Sequence, residues 1–345
     1  MSSKEIKIGN IVIGNNNPII IQSMTNTKTK NILSTINQIN ELEHAGAQIV
    51  RMTISDMEDA LAISTIKKAV NVPLVADIHF DYKLALEAIK QGIDKIRINP
   101  GNIGSFDNIK KVVDACKEKN IPIRIGINSG SLEKDLYEKY NGVTPLALYE
   151  SIDRHVKLLE SLNFDNIVLS IKATDINTCI ETNRLLKENY QYPIHIGLTE
   201  SGTTTSGTIR SSYVLGTLIS EGIGDTIRVS LTGNPVNEIP VAKEILSMFN
   251  KYDKPTLISC PTCGRTSYNM EHIVSEIEPF LNQLNKRIKV AIMGCAVNGP
   301  GEAKDADIGI AGGNKEALLF KKGKVIKKIP EDKIIEELKK EILNM

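Results

Sequence analysis

The sequence predicts an α/β protein: a (β/α)8 TIM barrel followed by a small α+β domain. Eight β-rich segments recur along the first two thirds of the chain. Each precedes a stretch whose apolar residues are three and four apart, the spacing of a helix buried on one face. Eight such repeats in about 230 residues match a TIM barrel in number and size. A doubly wound open sheet is the alternative, but it usually contains fewer strands.

The strands are predicted to begin near residues 19, 48, 73, 95, 122, 166, 193 and 226, after a short hairpin at 6–13. A polar segment ending in Pro255 follows the eighth helix, and a second alternation of strands and helices follows that segment. We therefore expect a barrel domain at 1–250, a linker at 251–255 and a small domain at 256–345.

Composition narrows the class of protein. The chain has 345 residues, 42 Lys and Arg against 41 Asp and Glu, and a net charge of +1. Near neutrality argues against nucleic acid or an anionic membrane as the main partner. The polar N-terminus contains no apolar signal core, and no apolar run approaches membrane-spanning length. Five cysteines without an export signal indicate the reducing cytoplasm.

Strand parity predicts an unusually polar barrel axis. Alternate strand residues point to opposite faces, so in the fourth strand Ile96 and Ile98 oppose Arg97 and Asn99. The apolar face must meet the outer helices, which leaves the polar face for the axis. The predicted substrate-binding residues are Arg51, Asp77, His79, Arg97, Asn99, Arg124, Asn128, Lys172, His195, Arg228 and Ser230.

The cations in this set predict a polyanionic ligand. An ordinary barrel axis is filled with Val, Ile and Leu, whereas this one collects five Arg and Lys side chains with Asp77 as the main carboxylate. Uncompensated buried cations cost about several kcal/mol each, and Arg suits bidentate phosphate binding. Glycine-rich loops at 101–105, 128–131 and 201–207 offer further N–H donors. We expect a small diphosphate; alternatively, some cations lie at the barrel bottom or pair with loop carboxylates.

Two histidines of this set and one glutamate outside it have two interpretations each. His79 and His195 are candidates for acid–base chemistry, but a single histidine on a strand is more often a hydrogen-bonded packing residue. Glu200 follows the seventh strand, where the catalytic groups of barrels concentrate. It is either a general acid or base, or a group that caps its loop.

The cysteines fall into two groups. Cys116 and Cys179 lie in predicted helices and are interpreted as small buried side chains. Cys260 and Cys263 form a C-x-x-C pair, and Cys295 precedes a glycine-rich turn. Three thiolates with no fourth cysteine suit a [4Fe–4S] cluster with Glu302 as the remaining ligand. Zinc, with His272 as the nearest histidine, and a redox dithiol are the alternatives.

The motifs that carry these residues also indicate a family. The segments SMTNT, VRMT, ADIHF, KIRINPGN, PIRIGINSGSL, GLTESG, SCPTCGR and MGCAVNGPGEAKDADIGI resemble the 4-hydroxy-3-methylbut-2-enyl diphosphate synthase family in its two-domain bacterial form. The resemblance covers essentially the whole chain. It implies reductive ring opening and dehydration of 2-C-methyl-D-erythritol 2,4-cyclodiphosphate to the allylic diphosphate, in the non-mevalonate isoprenoid pathway.

The resemblance further implies a cofactor, partners and residue roles. It implies a [4Fe–4S] cluster held by Cys260, Cys263, Cys295 and Glu302, in a domain similar to the cluster domain of sulfite and nitrite reductases. It implies flavodoxin or ferredoxin as electron donor and a head-to-tail homodimer. The barrel cations then hold the diphosphate, Glu200 is the general acid or base, and Glu302, a weaker iron ligand than thiolate, is assigned a catalytic role.

Barrel topology agrees with such a dimer. A barrel helix runs from the active face back to the opposite end, so the linker after the eighth helix starts on the wrong side for a chain's own cluster to reach its own barrel mouth. Two other classes remain as alternatives. One is a pterin-binding barrel with structural zinc in its tail, and the other is a metal-stabilised interaction module, which leaves the polar axis unexplained.

Overall fold

Parallel strands closed into a ring form the first part of the chain. The hairpin β1 (Ile6–Ile8) and β2 (Ile11–Ile13) precedes β3 (Ile20–Met24), β4 (Ile49–Thr53), β5 (Leu74–Asp77), β6 (Lys95–Ile98), β7 (Ile123–Asn128), β8 (Ile167–Lys172), β9 (His195–Ile196) and β10 (Thr226–Ile227). The hydrogen-bonded order is β8-β7-β6-β5-β4-β3-β10-β9. A bridge between Leu169 and Ile194 joins β8 to β9. The predicted TIM barrel is therefore confirmed.

This computed structural model describes residues 2–266, 268–295, 301, 303–313 and 315–345. Its chain divides into two compact units, Met1–Lys251 and Tyr252–Met345. Every helix in the described ranges is too short or too polar to span a lipid bilayer.

The outer layer of the barrel consists of helices that follow the strands. They are α1 (Ile32–Ala45), α2 (Met57–Lys68), α3 (Tyr82–Lys90), α4 (Phe106–Lys119), α5 (Lys134–Lys139), α6 (Pro145–Ser161), α7 (Ile176–Asn189), α8 (Thr204–Ser220) and α9 (Glu238–Met248). Local sequence sets their starts. Thr144 accepts from the N–H of Ala147 ahead of Pro145 in α6, and Asp175 caps α7 through Thr178.

The N-terminal hairpin closes one end of the barrel. Its buried isoleucines pack against side chains near the start of the barrel strands, in a cluster of Ile6, Ile8, Ile13, Ile20, Ile49, Val75 and Val168. Apolar residues thus fill the axis where the strands begin. The polar side chains lie farther along the strands, toward the end where barrel active sites are found.

The second unit is built on a five-stranded sheet. Its elements are β11 (Thr256–Ser259), α10 (Met270–Leu281), β12 (Lys289–Met293), β13 (Ile308–Gly312), β14 (Glu316–Lys321), β15 (Lys324–Pro330) and α11 (Ile334–Leu343). Strands β11, β12 and β13 are parallel, and the last three are antiparallel. The sequence predicts a strand that includes Cys260 and Cys263, but β11 ends at Ser259. Pro261 follows, and it has no N–H to donate to a ladder.

Candidate functional site

A polar pocket occupies the barrel axis. It is lined by Arg51, Asp77, His79, Arg97, Arg124, Gly126, Asn128, Ser170, Lys172, Thr199, Arg228 and Ser230. The residues predicted to bind substrate are all in this set except Asn99 and His195. Gly126, Ser170 and Thr199 line the pocket without having been predicted to do so. Gly126 and Ser170 share the inward parity of their strands, which is the signal that identifies them.

Strand register and two glycines make the cations converge. Asp77 is paired with Arg97 across β5 and β6, and Arg97 is paired with Arg124 across β6 and β7. These three side chains therefore project from neighbouring strands at one level of the barrel. A Cβ at Gly126 would collide with the Arg97 guanidinium, and a Cβ at Gly197 would lie 2.7 Å from the Nζ of Lys172. Glycine at both positions leaves room for the long cations.

Asp77 forms ion pairs with two of the arginines, Arg51 and Arg97. Arg97 Nη1 donates to Asp77 Oδ1 at 2.9 Å, and Arg51 Nε lies 3.5 Å from Asp77 Oδ2. Burial by itself would raise the pKa of Asp77. The charge of Arg51, a hydrogen bond from His79 and the charge of Arg97 outweigh burial and hold this pKa below its ordinary value. Asp77 is therefore ionised at neutral pH.

Glu238 neutralises a third arginine. It is the first residue of α9 and is only 2 % exposed. Its carboxylate accepts from Nε and Nη2 of Arg228 at 3.3 and 3.2 Å. Sequence reasoning missed Glu238, although an acidic residue opening the helix after the eighth strand is a signal for it. Arg51, Arg97 and Arg228 thus pair with carboxylates, but Asp77 belongs to β5 and Glu238 to α9, so these partners are not the loop carboxylates expected as the alternative.

Arg124 and Lys172 differ from these three arginines in their charge partners. Both are buried, and within the described ranges no carboxylate lies at ion-pair distance from either one. Arg124 is 1 % exposed, and its Nε and Nη1 find no hydrogen-bond partner among the described residues. Burial and the charges of Arg51 and Arg97 hold its pKa well below the ordinary value. Burial and neighbouring cations lower the pKa of Lys172 in the same way. An anion in the pocket would offset the cost of burying these two positive charges.

A second polar layer lies outside the pocket lining. Lys95 is fully buried and its Nζ donates to Gln22 Oε1 at 3.3 Å. It shares the parity of Arg97, but sequence reasoning missed it. His195 is also fully buried, and its Nδ1 lies 2.8 Å from Thr226 Oγ1. Burial, followed by the charges of Arg124 and Lys172, holds the pKa of His195 well below its ordinary value. His195 is therefore neutral at neutral pH, and it fits the packing interpretation.

Two predicted residues lie in loops beside the pocket. Asn99 Oδ1 accepts from the N–H of Gly101 at 3.1 Å and so fixes the turn after β6. Glu200 is exposed, follows Thr199 of the pocket lining, and accepts from Thr174 Oγ1 at 3.2 Å. Its φ of +53° lies in the left-handed region, which is uncommon for a residue other than Gly, Asn or Asp. Strained backbone of this kind is frequent at functional positions.

Two of the three cysteines predicted to bind a cluster, Cys260 and Cys295, lie where neighbouring parallel strands of the second unit's sheet end. Cys260 directly follows β11, and Cys295 follows β12 after Gly294. The two strands are parallel neighbours, and the N–H of Cys260 donates to the Ile292 carbonyl at 3.1 Å. Both cysteines therefore leave the sheet at the same edge. Cys263 is exposed, whereas Cys260 and Cys295 are partly buried.

Local contacts bring the C-x-x-C loop close to the Cys295 turn. Thr266 Oγ1 accepts from the N–H of Cys263 at 3.2 Å, and the N–H of Thr266 donates to the Cys263 carbonyl at 2.9 Å. A Cβ on Gly294 would lie 2.8 Å from that Thr266 oxygen, so glycine permits the approach. The buried Tyr268 hydroxyl donates to the Met293 carbonyl at 2.9 Å. These contacts bring the two segments that carry Cys260, Cys263 and Cys295 close together.

The described side chains do not form a preassembled metal site, since no three His, Cys, Asp or Glu among them lie close enough to share an ion. The predicted fourth ligand, Glu302, lies outside the described residues. His272, the alternative zinc ligand, lies in the first turn of α10, where Asn269 caps its N–H. Cys116 and Cys179 are fully buried, as predicted.

A closed barrel with a cationic axis, followed by a second domain that carries three cysteines, defines a class of two-domain barrel proteins with a positively charged pocket. Residues 3–243 match the GcpE TIM-barrel domain, and residues 256–344 match the GcpE protein C-terminal domain. The chain belongs to the GcpE family.

Curated relatives extend over the whole chain. A protein of Ruminiclostridium cellulolyticum is 57% identical over 99% of this chain and 98% of its own length, and one of Clostridium perfringens is 56% identical over 97% of each. Both are named 4-hydroxy-3-methylbut-2-en-1-yl diphosphate synthase (flavodoxin). Among solved structures, dihydropteroate synthase from Stenotrophomonas maltophilia is similar with a TM-score of 0.55 and 13% identity, covering 72% of this chain and 97% of that one. At this identity the likeness shows the barrel fold alone.

We predict that Arg124→Met stabilises the protein without ligand and abolishes its anion binding. Arg124 is buried and has no carboxylate partner among the described residues, so replacing it with an apolar side chain of similar length should raise the free energy of unfolding by at least about 1 kcal/mol. Inorganic pyrophosphate should raise the melting temperature of the wild type but not that of the variant. Thermal unfolding with and without pyrophosphate measures both effects.

Arg97→Met is the matched control. Arg97 is also a buried arginine of the pocket, but it donates hydrogen bonds to Asp77 and to the Gly126 carbonyl. Breaking this buried pair should destabilise the protein by about 3–5 kcal/mol. A destabilised Arg124→Met protein that still responds to pyrophosphate would contradict the assignment of Arg124 as the unpaired anion-binding group.

Proposed function

We infer that this chain catalyses the reaction for which its relatives are named. The substrate is 2-C-methyl-D-erythritol 2,4-cyclodiphosphate and the product is (E)-4-hydroxy-3-methylbut-2-enyl diphosphate, an intermediate of the non-mevalonate isoprenoid pathway. Two electrons and one proton are taken up: the ring C–O bond to phosphate breaks and leaves a negatively charged phosphate oxygen, and a hydroxyl accepts the proton and leaves as water. The pocket observation that carries this inference is that two buried cations, Arg124 and Lys172, have no carboxylate at ion-pair distance among the described residues.

Our proposal assigns the diphosphate to the cationic side of the pocket. Arg124 and Lys172 have donors available for it, and Asn128 and Ser230 add neutral hydrogen-bonding groups at the rim. Ring opening leaves an additional negative charge on a phosphate oxygen. Cations already fixed around that oxygen stabilise the transition state without reorganising. Arg51 and Arg97, oriented by Asp77, contribute to the same positive field.

We propose that Cys260, Cys263, Cys295 and Glu302 hold a [4Fe–4S] cluster. The positions of Cys260 and Cys295 at the ends of neighbouring strands, together with the contacts of Thr266 and Tyr268, support the three cysteines as ligands. Such a cluster, when bound, supplies single electrons and Lewis acidity. Cysteine ligands of this kind persist in a reducing compartment, and we place the protein in the cytoplasm for this reason. Flavodoxin is the proposed electron donor, as in the relatives' names, with ferredoxin as the alternative.

Anaerobically purified protein should be brown and contain iron and sulfide in equal amounts, at about four of each per chain for one [4Fe–4S] cluster. With reduced flavodoxin it should convert the cyclic diphosphate to the allylic diphosphate. Metal analysis, sulfide analysis and product detection by mass spectrometry test the proposal. A colourless protein with bound zinc would support a barrel with structural zinc instead.

Glu200→Gln should lower turnover by about 10²–10⁴-fold, the usual contribution of a positioned acid or base. Binding of the cyclic diphosphate should stay close to that of the wild type, because Glu200 is exposed and outside the pocket lining. Steady-state kinetics and equilibrium binding separate the two effects. Glu188→Gln, an exposed position in α7, is the control. Full turnover in the Glu200 variant would remove this residue from the chemistry.

We also propose a head-to-tail homodimer in which each second domain supplies the electrons for the partner's barrel. Helix α9 follows β10 and, like other barrel helices, runs back toward the end where the strands begin. The barrel unit therefore finishes away from its own pocket. This direction supports delivery of electrons from a second subunit.

Mixed dimers test this arrangement. Subunits carrying Cys295→Ser should lack a complete cluster, and subunits carrying Arg124→Met should lack substrate binding. Each variant alone should be inactive. If each barrel uses the partner's cluster, mixed dimers contain one complete site, and mixing should restore up to about one quarter of wild-type activity for random pairing of equal amounts with one site per mixed dimer. Absence of any rescue after subunit exchange, verified by mass spectrometry, would favour electron delivery within one chain.

A further inference from the structure

We propose that Glu238 is a positioning residue for the anion pocket: it orients Arg228 and the segment after β10 so that they bind the diphosphate. This inference rests on the proposed function, since it concerns how the same pocket holds its substrate. Glu238 is not part of the pocket lining, whereas Arg228 and Ser230 are. Apart from the long-range effect of its charge, its influence on substrate must therefore pass through other residues.

The contacts of the Glu238 carboxylate are more numerous than a single ion pair needs. Arg228 Nε and Nη2 donate to its two oxygens at 3.3 and 3.2 Å. The N–H of Leu231 donates to Oε1 at 3.1 Å, and Ser23 Oγ donates to Oε2 at 3.3 Å. Both carboxylate oxygens are occupied twice. The group is buried at 2 % exposure, so it has little freedom to reorient.

These contacts join three separate parts of the barrel. Ser23 belongs to β3, Arg228 and Leu231 belong to the segment that continues from β10, and Glu238 opens α9. Ser230, which lines the pocket, lies between the two residues of this segment that Glu238 binds. One carboxylate therefore fixes the course of the chain on both sides of Ser230, as well as the plane of the Arg228 guanidinium.

Among the described residues, the other side-chain contact of Arg228 is weaker. Its Nη1 lies 3.5 Å from Met24 Sδ, and a thioether is a poor hydrogen-bond acceptor. Glu238 is thus the group that determines how the guanidinium lies. Asp77 has the comparable role for Arg51 and Arg97, but Asp77 itself lines the pocket and would meet the ligand directly.

The sign of the mutational effect separates positioning from charge. Glu238 is an anion close to a site for anions, so by Coulomb's law its neutralisation should strengthen diphosphate binding. If Glu238 acts by orienting Arg228, its neutralisation should weaken binding instead. Glu238→Asp keeps the charge but is one methylene shorter. It should weaken binding through lost reach alone.

The measurement is the dissociation constant of the oxidised protein, without reductant, for the cyclic diphosphate and separately for inorganic pyrophosphate. We expect Glu238→Gln and Glu238→Asp to raise both constants by about tenfold or more, the loss associated with one charge-assisted hydrogen bond. KM should rise more than kcat falls. Glu244→Gln, an exposed position on the same helix, should bind like the wild type.

A double-mutant cycle with Arg228→Met shows whether the effect passes through Arg228. In the Arg228→Met background, Glu238→Gln should raise each dissociation constant by a much smaller factor than in the wild type, because only the contacts with the N–H of Leu231 and with Ser23 Oγ remain to be weakened. Equal weakening in both backgrounds would mean a general structural role and would overturn the inference. So would wild-type or tighter binding by the single variants. If Glu238→Gln does not fold, as judged from its melting curve, the same comparison with Glu238→Asp decides.

The two probes keep this test separate from the proposed function. A wild-type protein that binds pyrophosphate but not the cyclic diphosphate would refute the proposed substrate, while the pyrophosphate measurements would still test Glu238. Turnover of the cyclic diphosphate with unchanged binding in both Glu238 variants would leave the proposed function standing and reject the positioning role.

Discussion

The burial of several cations around the barrel axis is the constraint on which the pocket depends. Arg51 and Arg97 share Asp77, and Arg228 is bound by Glu238, whereas Arg124 and Lys172 have no carboxylate at ion-pair distance among the described residues. Two carboxylates thus partly compensate five cations. Without a bound anion, the remaining positive charge lowers the stability of the barrel. The residues that cause this loss of stability are those that would bind the anion.

The rest of the barrel makes this arrangement possible. Closure between β8 and β9 places all eight inward faces around one axis. The hairpin β1–β2 fills the end where the strands begin with isoleucine, and the charged pocket lies farther along the axis. Gly126 and Gly197 leave space for the side chains of Arg97 and Lys172. The packing of the barrel therefore determines where the charged side chains lie.

Fold similarity and family membership carry different information here. Dihydropteroate synthase resembles the barrel at a TM-score of 0.55 but shares only 13% of its residues. The same architecture supports many chemistries, so this likeness says nothing about the reaction. The GcpE match spans both units, including the thiol-bearing sheet edge. It is the combination of a cationic axis with the three cysteines that agrees with the reductive chemistry of the relatives.

The sequence by itself determined the barrel, the inward parity of Arg97, Arg124 and Lys172, and the grouping of Cys260, Cys263 and Cys295. Each follows from a local period or from spacing along the chain. Only the tertiary structure decided which cations are compensated and where His195 lies. Ion pairs such as Arg228–Glu238 join side chains of different elements, and strand parity gives a side chain's face but not its level along the axis. Lys95 and His195 have inward parity, yet register places them outside the pocket lining.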